Sequence, residues 1–194
     1  MAPASQVHRR TKETEVELEL ELDGRGETAI ATGIPFLDHM LNLFAAHGYF
    51  DLKVKATGDL EVDQHHTVED IGICLGQALR EALSARPGFR RFGSALVPMD
   101  EALAQVSVDL SNRPFLHLEV KYPPGGCALD PQLVKEFWRA VSVHGGLTLH
   151  ITVPYGENTH HIVEAIFKAA GRALDAATQP EPRAPGVPST KGVL

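Results

Sequence analysis

The chain has 194 residues, enough for one medium domain or for two half-domains sharing a core. Its apolar content of 43% is that of a globular protein, and its formal net charge of −7 excludes the basic stripe that a nucleic-acid partner would require. No apolar run reaches transmembrane length, the N-terminus lacks a signal-peptide layout, and two cysteines call for no oxidising compartment, so a cytoplasmic protein is expected.

In chain order, residues 1–10 read as a flexible leader. Val16, Leu18, Leu20 and Leu22 alternate with glutamates, which predicts a half-buried strand over Thr14–Leu22. Asp23-Gly24 is a turn signal and Glu27–Thr32 the expected returning strand of a hairpin. Phe36–His47 has helical spacing and ends at Gly48. Phe50–Ala56 and Leu60–Val62 read as strands, and a second helix covers Thr67–Ala85 before Arg86-Pro87-Gly88 breaks it. Ala102–Leu110 and Phe115–Tyr122 then alternate as a strand pair around Ser111-Asn112-Arg113-Pro114. A helix over Pro131–His144, a strand over Leu147–Val153 and a helix over His160–Ala177 follow, with a Pro-rich tail from Pro180. Each half reads strand, strand, helix, strand, helix. Two half-domains, 11–95 and 96–179, with tail 180–194, predict an α+β fold of antiparallel sheets with helices on one face.

The order repeats because the sequence does. His65-His66-Thr67-Val68-Glu69 recurs as His160-His161-Ile162-Val163-Glu164. Upstream, His39 precedes His65 by 26 residues and Glu136 precedes His160 by 24, while His47-Gly48 matches His144-Gly145 and Gly76 matches Gly171. The ordered set describes a tandem duplication.

A histidine and a glutamate four apart share one helix face and can converge on one ion. Adjacent histidines leave the axis about 100° apart and cannot easily chelate one ion together. The doubled motif therefore predicts two metal ions, each collecting ligands from more than one segment. Imidazole and carboxylate without thiolate exclude a zinc–cysteine site and suit an octahedral ion with open positions such as Mn²⁺; Zn²⁺ and Fe²⁺ fit the same residue types.

The remaining histidines have plainer roles. His8, His117 and His150 stand alone, and His47 and His144 sit at helix ends where the C-terminal dipole favours them. Cys74 lies within an apolar helix, as a buried free thiol does. Lys168 lies four residues after Glu164 where the first copy has Ile73, so it is either a solvated helical lysine or the holder of a substrate anion beside the metals. Arg90-Arg91, Arg113 and the segment Ser189-Thr190-Lys191-Gly192, whose backbone amides can wrap a phosphate, are further anion candidates; a surface charge and a disordered tail are the plain alternatives.

These residues together resemble the imidazoleglycerol-phosphate dehydratase family over nearly the whole chain, from Thr11-Lys12-Glu13-Thr14 to Ser189-Thr190-Lys191-Gly192-Val193-Leu194. Between them stand Gly33-Ile34-Pro35-Phe36-Leu37-Asp38-His39-Met40-Leu41, Asp63-Gln64-His65-His66-Thr67-Val68-Glu69-Asp70, Pro98-Met99-Asp100-Glu101-Ala102-Leu103 and the second histidine motif. The resemblance implies a tandem-repeat fold like the second domain of ribosomal protein S5, a 24-subunit shell with active sites between subunits, and two Mn²⁺ per site. It puts His39, His65, His66, Glu69, His160, His161 and Glu164 on metal-ligand positions. Glu13 falls on an active-site acid, with Glu69, Glu164 and Lys168 also in the catalytic set, and Arg91, Arg113, Lys168, Ser189 and Lys191 on substrate contacts. Two departures stand out. Glu136 occupies a place where the family usually has histidine, and is expected to ligate as a carboxylate; Leu43 stands where relatives carry a glutamine. The expected reaction is dehydration of imidazole glycerol phosphate to imidazole acetol phosphate in histidine biosynthesis. A non-enzymatic di-metal assembly and a metal-dependent phosphate-ester hydrolase are the rivals.

Overall fold

The computed structural model describes residues 4–86 and 88–183 together with Gly186 and Ser189. Its first half contains β1 (Ser5–Arg10), β2 (Thr14–Glu21), β3 (Thr28–Ala31), α1 (Pro35–Gly48), β4 (Asp51–Gly58) and α2 (His65–Ser84). The second repeats the order with β5 (Phe92–Met99), β6 (Ala102–Asp109), β7 (Phe115–Glu119), α3 (Pro131–Gly145), β8 (Thr148–Tyr155) and α4 (Thr159–Thr178). The two sheets run β1-β2-β4-β3 and β5-β6-β8-β7, the same topology twice, so the fold is a duplicated α+β unit as expected.

The sheets are mixed rather than antiparallel. β3 does not close a hairpin with β2; it pairs parallel with β4, Thr28 opposite Leu52, and β7 likewise pairs with β8 instead of β6. The turn after β2 is held in place of a hairpin by Asp51, whose carboxylate accepts the backbone N–H groups of Arg25 at 2.7 Å and Glu27 at 2.9 Å. Those amides outweigh the effect of burial and keep the Asp51 carboxyl below its usual range. Leu60–Val62 is a turn, not a strand.

Each half also begins with a strand that its sequence pattern does not announce. Residues 5–10, expected as a leader, form β1, paired antiparallel with β2 from Ser5↔Leu20 to Arg10↔Glu15. The buried Ser5 hydroxyl ties it to the Ala78 carbonyl of α2, at 2.9 Å. β5 pairs with β6 from Phe92↔Asp109, so the second unit begins before residue 96, and the boundary at 95 falls inside a strand.

Helices α1 and α2 lie on the first sheet and α3 and α4 on the second, but the helices pair across the repeats: α1 packs on α4, and α2 on α3. The crossings are close because glycines meet there. A Cβ on Gly171 of α4 would lie 2.3 Å from the Phe44 carbonyl of α1, and one on Gly76 of α2 would lie 2.8 Å from the Gly145 amide of α3. Between the layers Trp138 sits fully buried with Phe137 and Phe167, each at a centroid distance of 5.0 Å, and Phe44 at 6.1 Å. This interleaving makes the two halves share one core, since neither helix pair belongs to one half.

Candidate metal centre and active site

Both histidine pairs sit in the first turn of a helix whose start is tethered in the same way. The Asn158 side chain accepts the backbone N–H of His160 at 2.8 Å and caps α4. At the matching place before α2, the Asp63 carboxylate accepts the His65 N–H at 2.7 Å. Each tether fixes the direction in which the following ring leaves the helix.

The cross-repeat helix pairing decides which residues meet. His39 of α1 leads in sequence to His65-His66, yet it faces the other pair: its Nε2 lies 3.6 Å from Glu164 Oε2, and His160 Nε2 lies 3.2 Å from the same oxygen. One ligand atom from each of His39, His160 and Glu164 can be drawn within 4.8 Å of the others. Phe36 packs edge-on against the His160 ring at 5.1 Å. Glu164 is buried, and its other oxygen Oε1 accepts Lys168 Nζ at 2.5 Å. Burial alone would raise the Glu164 carboxyl, but the hydrogen bond and charge of Lys168 hold it below its usual range. Lys168 also reaches Met99 Sδ at 3.4 Å, so it is an engaged, half-buried lysine on the ligand face rather than a solvated one.

The related cluster joins α2 to α3. His65 Nε2 lies 3.8 Å from Glu69 Oε2. Arg139 of α3 bridges to Glu69 Oε1 at 3.6 Å and to Glu136 Oε2 at 2.8 Å. Glu136 and Glu69 thus share one guanidinium, and among the described residues His65, Glu69 and Glu136 do not converge as His39, His160 and Glu164 do.

The second histidine of each pair points elsewhere. His66 Nδ1 is 3.0 Å from Asp59 Oδ2, and His161 Nδ1 is 2.7 Å from Glu101 Oε2. The carboxylate hydrogen bond raises each imidazole above its ordinary value, and the same bond helps hold the Glu101 carboxyl down to about 2. Glu13 Oε2 lies 3.9 Å from His66 Nδ1, which places the expected acid at the rim of this ring. Asp59, Glu101 and Arg139 carry no periodic signal in the sequence. Glu101 contacts a histidine 60 residues away, a separation that leaves no local signal in the sequence.

The anion candidates are not all gathered in one chain. Arg91 Nε pairs with Asp109 Oδ1 at 2.7 Å and Arg113 with Asp109 Oδ2 at 3.3 Å, at the end of β6 opposite to Glu101. Seven strand steps separate those ends, about 23 Å. Ser189 lies in a half-buried bend, and Lys191 is outside the described residues. Leu43 packs partly buried against the core, where it offers no polar contact. His47 and His144 are held below the ordinary histidine value, first by burial and then by neighbouring cations, among them Lys168 for His47 and Arg9 for His144, the opposite of what a helix C-terminal dipole alone would do. Burial pushes the Cys74 thiol up to about 12, the mark of an inert core cysteine.

The sequence and the fold have known counterparts. The family profile "Imidazoleglycerol-phosphate dehydratase" matches residues 32–174. The chain is 58% identical to the imidazoleglycerol-phosphate dehydratase of Syntrophobacter fumaroxidans over 97% of this chain and 96% of that one. It is 54% identical to that of Bacillus subtilis over the full length of both. Among solved structures, the enzyme from Pyrococcus furiosus in complex with (S)-C348 superposes with a TM-score of 0.86 at 45% identity, covering 97% of this chain and 100% of that one. The Staphylococcus aureus enzyme superposes with a TM-score of 0.83 at 40% identity, covering 92% and 99%. The chain belongs to the imidazoleglycerol-phosphate dehydratase family, a family of dehydratase lyases.

Proposed function

We propose that the protein dehydrates imidazole glycerol phosphate to imidazole acetol phosphate in a metal-dependent reaction, with two Mn²⁺ per active site. The observation that carries this reading is the convergence of His39, His160 and Glu164 from opposite repeats within 4.8 Å. Imidazole nitrogens with one carboxylate suit Mn²⁺ and leave positions open for substrate. His65, Glu69 and Glu136 are the corresponding donors of the other centre, and His66 and His161 the donors each chain offers outward.

When bound, the ions supply Lewis acidity at the imidazole and hydroxyl of the substrate, which lowers the cost of taking a proton from a carbon that has no neighbouring carbonyl. The chain's own groups do the rest. Glu13, exposed beside His66, moves the proton. Lys168, held against Glu164, is aimed at the ligand face and orients the substrate anion. Glu69 and Glu164 keep negative charge next to the cations. Arg91, Arg113, Ser189 and Lys191 grip the phosphate, which is remote from the bond broken. Because Arg91 and Arg113 lie far from His161 in one chain, this grip is assigned to a neighbouring copy, in keeping with a 24-subunit shell.

A non-enzymatic metal assembly has no use for Lys168 on the ligand face, and a phosphate-ester hydrolase would place its cations on the phosphate. His65→Ala or His161→Ala is expected to abolish dehydration and lower bound metal, while His117→Ala on the outer face of the second sheet leaves both unchanged. Equal metal content in all three variants would reject the assignment.

A further inference from the structure

The two rings of each adjacent-histidine pair have different surroundings. The first ring, His65 or His160, turns its Nε2 toward the glutamate one turn on, at 3.8 and 3.2 Å. The second ring is gripped at Nδ1 by a loop carboxylate: Asp59, just after β4 and 7 residues before His66, or Glu101, between β5 and β6 and 60 residues before His161. We infer that Asp59 and Glu101 are positioning residues that set the tautomer and direction of His66 and His161, so that each presents a bare Nε2 as a ligand. This rests on the metal reading above.

The chemistry follows from the imidazole. A carboxylate accepts only, so the ring nitrogen facing it must carry the hydrogen. A neutral ring with hydrogen on Nδ1 has its lone pair on Nε2, directed away from the carboxylate. Carboxylates in this role orient metal-binding histidines and raise their basicity.

Both carboxylates are themselves fixed. Glu101 Oε1 accepts the backbone N–H groups of Asn158 at 2.8 Å and Glu157 at 3.1 Å, so the loop before α4 clamps the side chain whose other oxygen holds His161. Asp59 is placed by its backbone, donating to the Glu13 carbonyl at 3.1 Å and accepting from Val62 at 2.8 Å. Its two oxygens lie 3.0 and 3.2 Å from His66 Nδ1. Glu13 reaches that nitrogen only at 3.9 Å, beyond hydrogen-bond range, so Asp59 does the holding and Glu13 stays available for proton transfer. The two supports occupy different places in the repeat, yet they meet the same ring nitrogen.

The test titrates chelator-treated protein with Mn²⁺ and follows free Mn²⁺ by electron paramagnetic resonance. Glu101→Gln keeps an oxygen for the backbone amides, but its amide N–H can face Nδ1 and shift the ring hydrogen to Nε2, which then cannot ligate. Asp59→Asn does the same to His66 without touching α4. Each variant is expected to bind part of its Mn²⁺ about 10–100-fold more weakly than wild type, with an unchanged far-ultraviolet circular dichroism spectrum. Glu119→Gln, beside His117 on the outer face, is expected to bind like wild type. Wild-type affinity in both Glu101→Gln and Asp59→Asn overturns the positioning role. A wild-type protein that binds no Mn²⁺ overturns the metal reading itself.

Discussion

His39 of the first repeat lies 3.6 Å from Glu164 of the second, so the carboxylate–imidazole cluster at α4 is completed by a helix from the other half of the chain. Duplication and interleaving together explain why a short chain carries two similar clusters: each helix pair takes one member from each repeat, and each pair brings one upstream ligand position to one histidine motif. The two repeats cannot be separated without dividing both clusters.

His39→Ala should therefore weaken metal at the His160–Glu164 cluster and spare the His65–Glu69 cluster, although His39 is closer in sequence to the latter. Metal analysis after dialysis of His39→Ala, alone and combined with His65→Ala, checks this. Additive loss in the double variant is expected, and a double variant no worse than either single one would place His39 in the His65 cluster instead.

Glu136 occupies the repeat position of His39 and shares Arg139 with Glu69. Glu136→Gln removes the charge that both an ion and Arg139 use, and should cost about 10-fold in Mn²⁺ affinity, the scale of a lost ligand-sphere partner. Glu136→His supplies a nitrogen donor at the same place and should retain the metal. Full occupancy of the Gln variant after extensive dialysis would show that Glu136 is not a ligand.

Gly171 permits the α1–α4 crossing, since a Cβ there would approach the Phe44 carbonyl to 2.3 Å. Gly171→Ala gains about 1 kcal/mol of helix propensity, but forcing the helices apart costs about 1–3 kcal/mol and disturbs the placement of His39. A lower melting temperature together with weaker metal binding is expected. Gly126→Ala, with nothing within 4 Å of the added atom, should melt like wild type.

The sequence made the helices and the doubled ligands legible because both depend on local spacing. Apolar periodicity outlined all four helices, and the i,i+4 geometry of His160 and Glu164 follows from helix pitch alone. Strand partners were not legible. The alternation of Glu27–Thr32 marks a strand but not whether it joins β2 or β4, and that choice is made by the Asp51 anchor and the packing of α1. β1 leaves no strand pattern because Ser5–Arg10 has Val7 as its only large apolar residue, and β5 leaves none because Gly93 and Pro98 interrupt it. The crossing of α1 onto α4 and the grip of Glu101 on His161 are tertiary contacts over long separations, with no periodic trace to read.

Whether the chain performs a metal-dependent dehydration is decided by analysing its products. Chelator-treated protein is incubated with imidazole glycerol phosphate, with and without added Mn²⁺, while keto product and inorganic phosphate are followed together. Imidazole acetol phosphate is expected only when Mn²⁺ is restored, with no phosphate released. Keto product at an undiminished rate from protein shown to be metal-free, or phosphate release in place of keto product, would rule out metal-dependent dehydration.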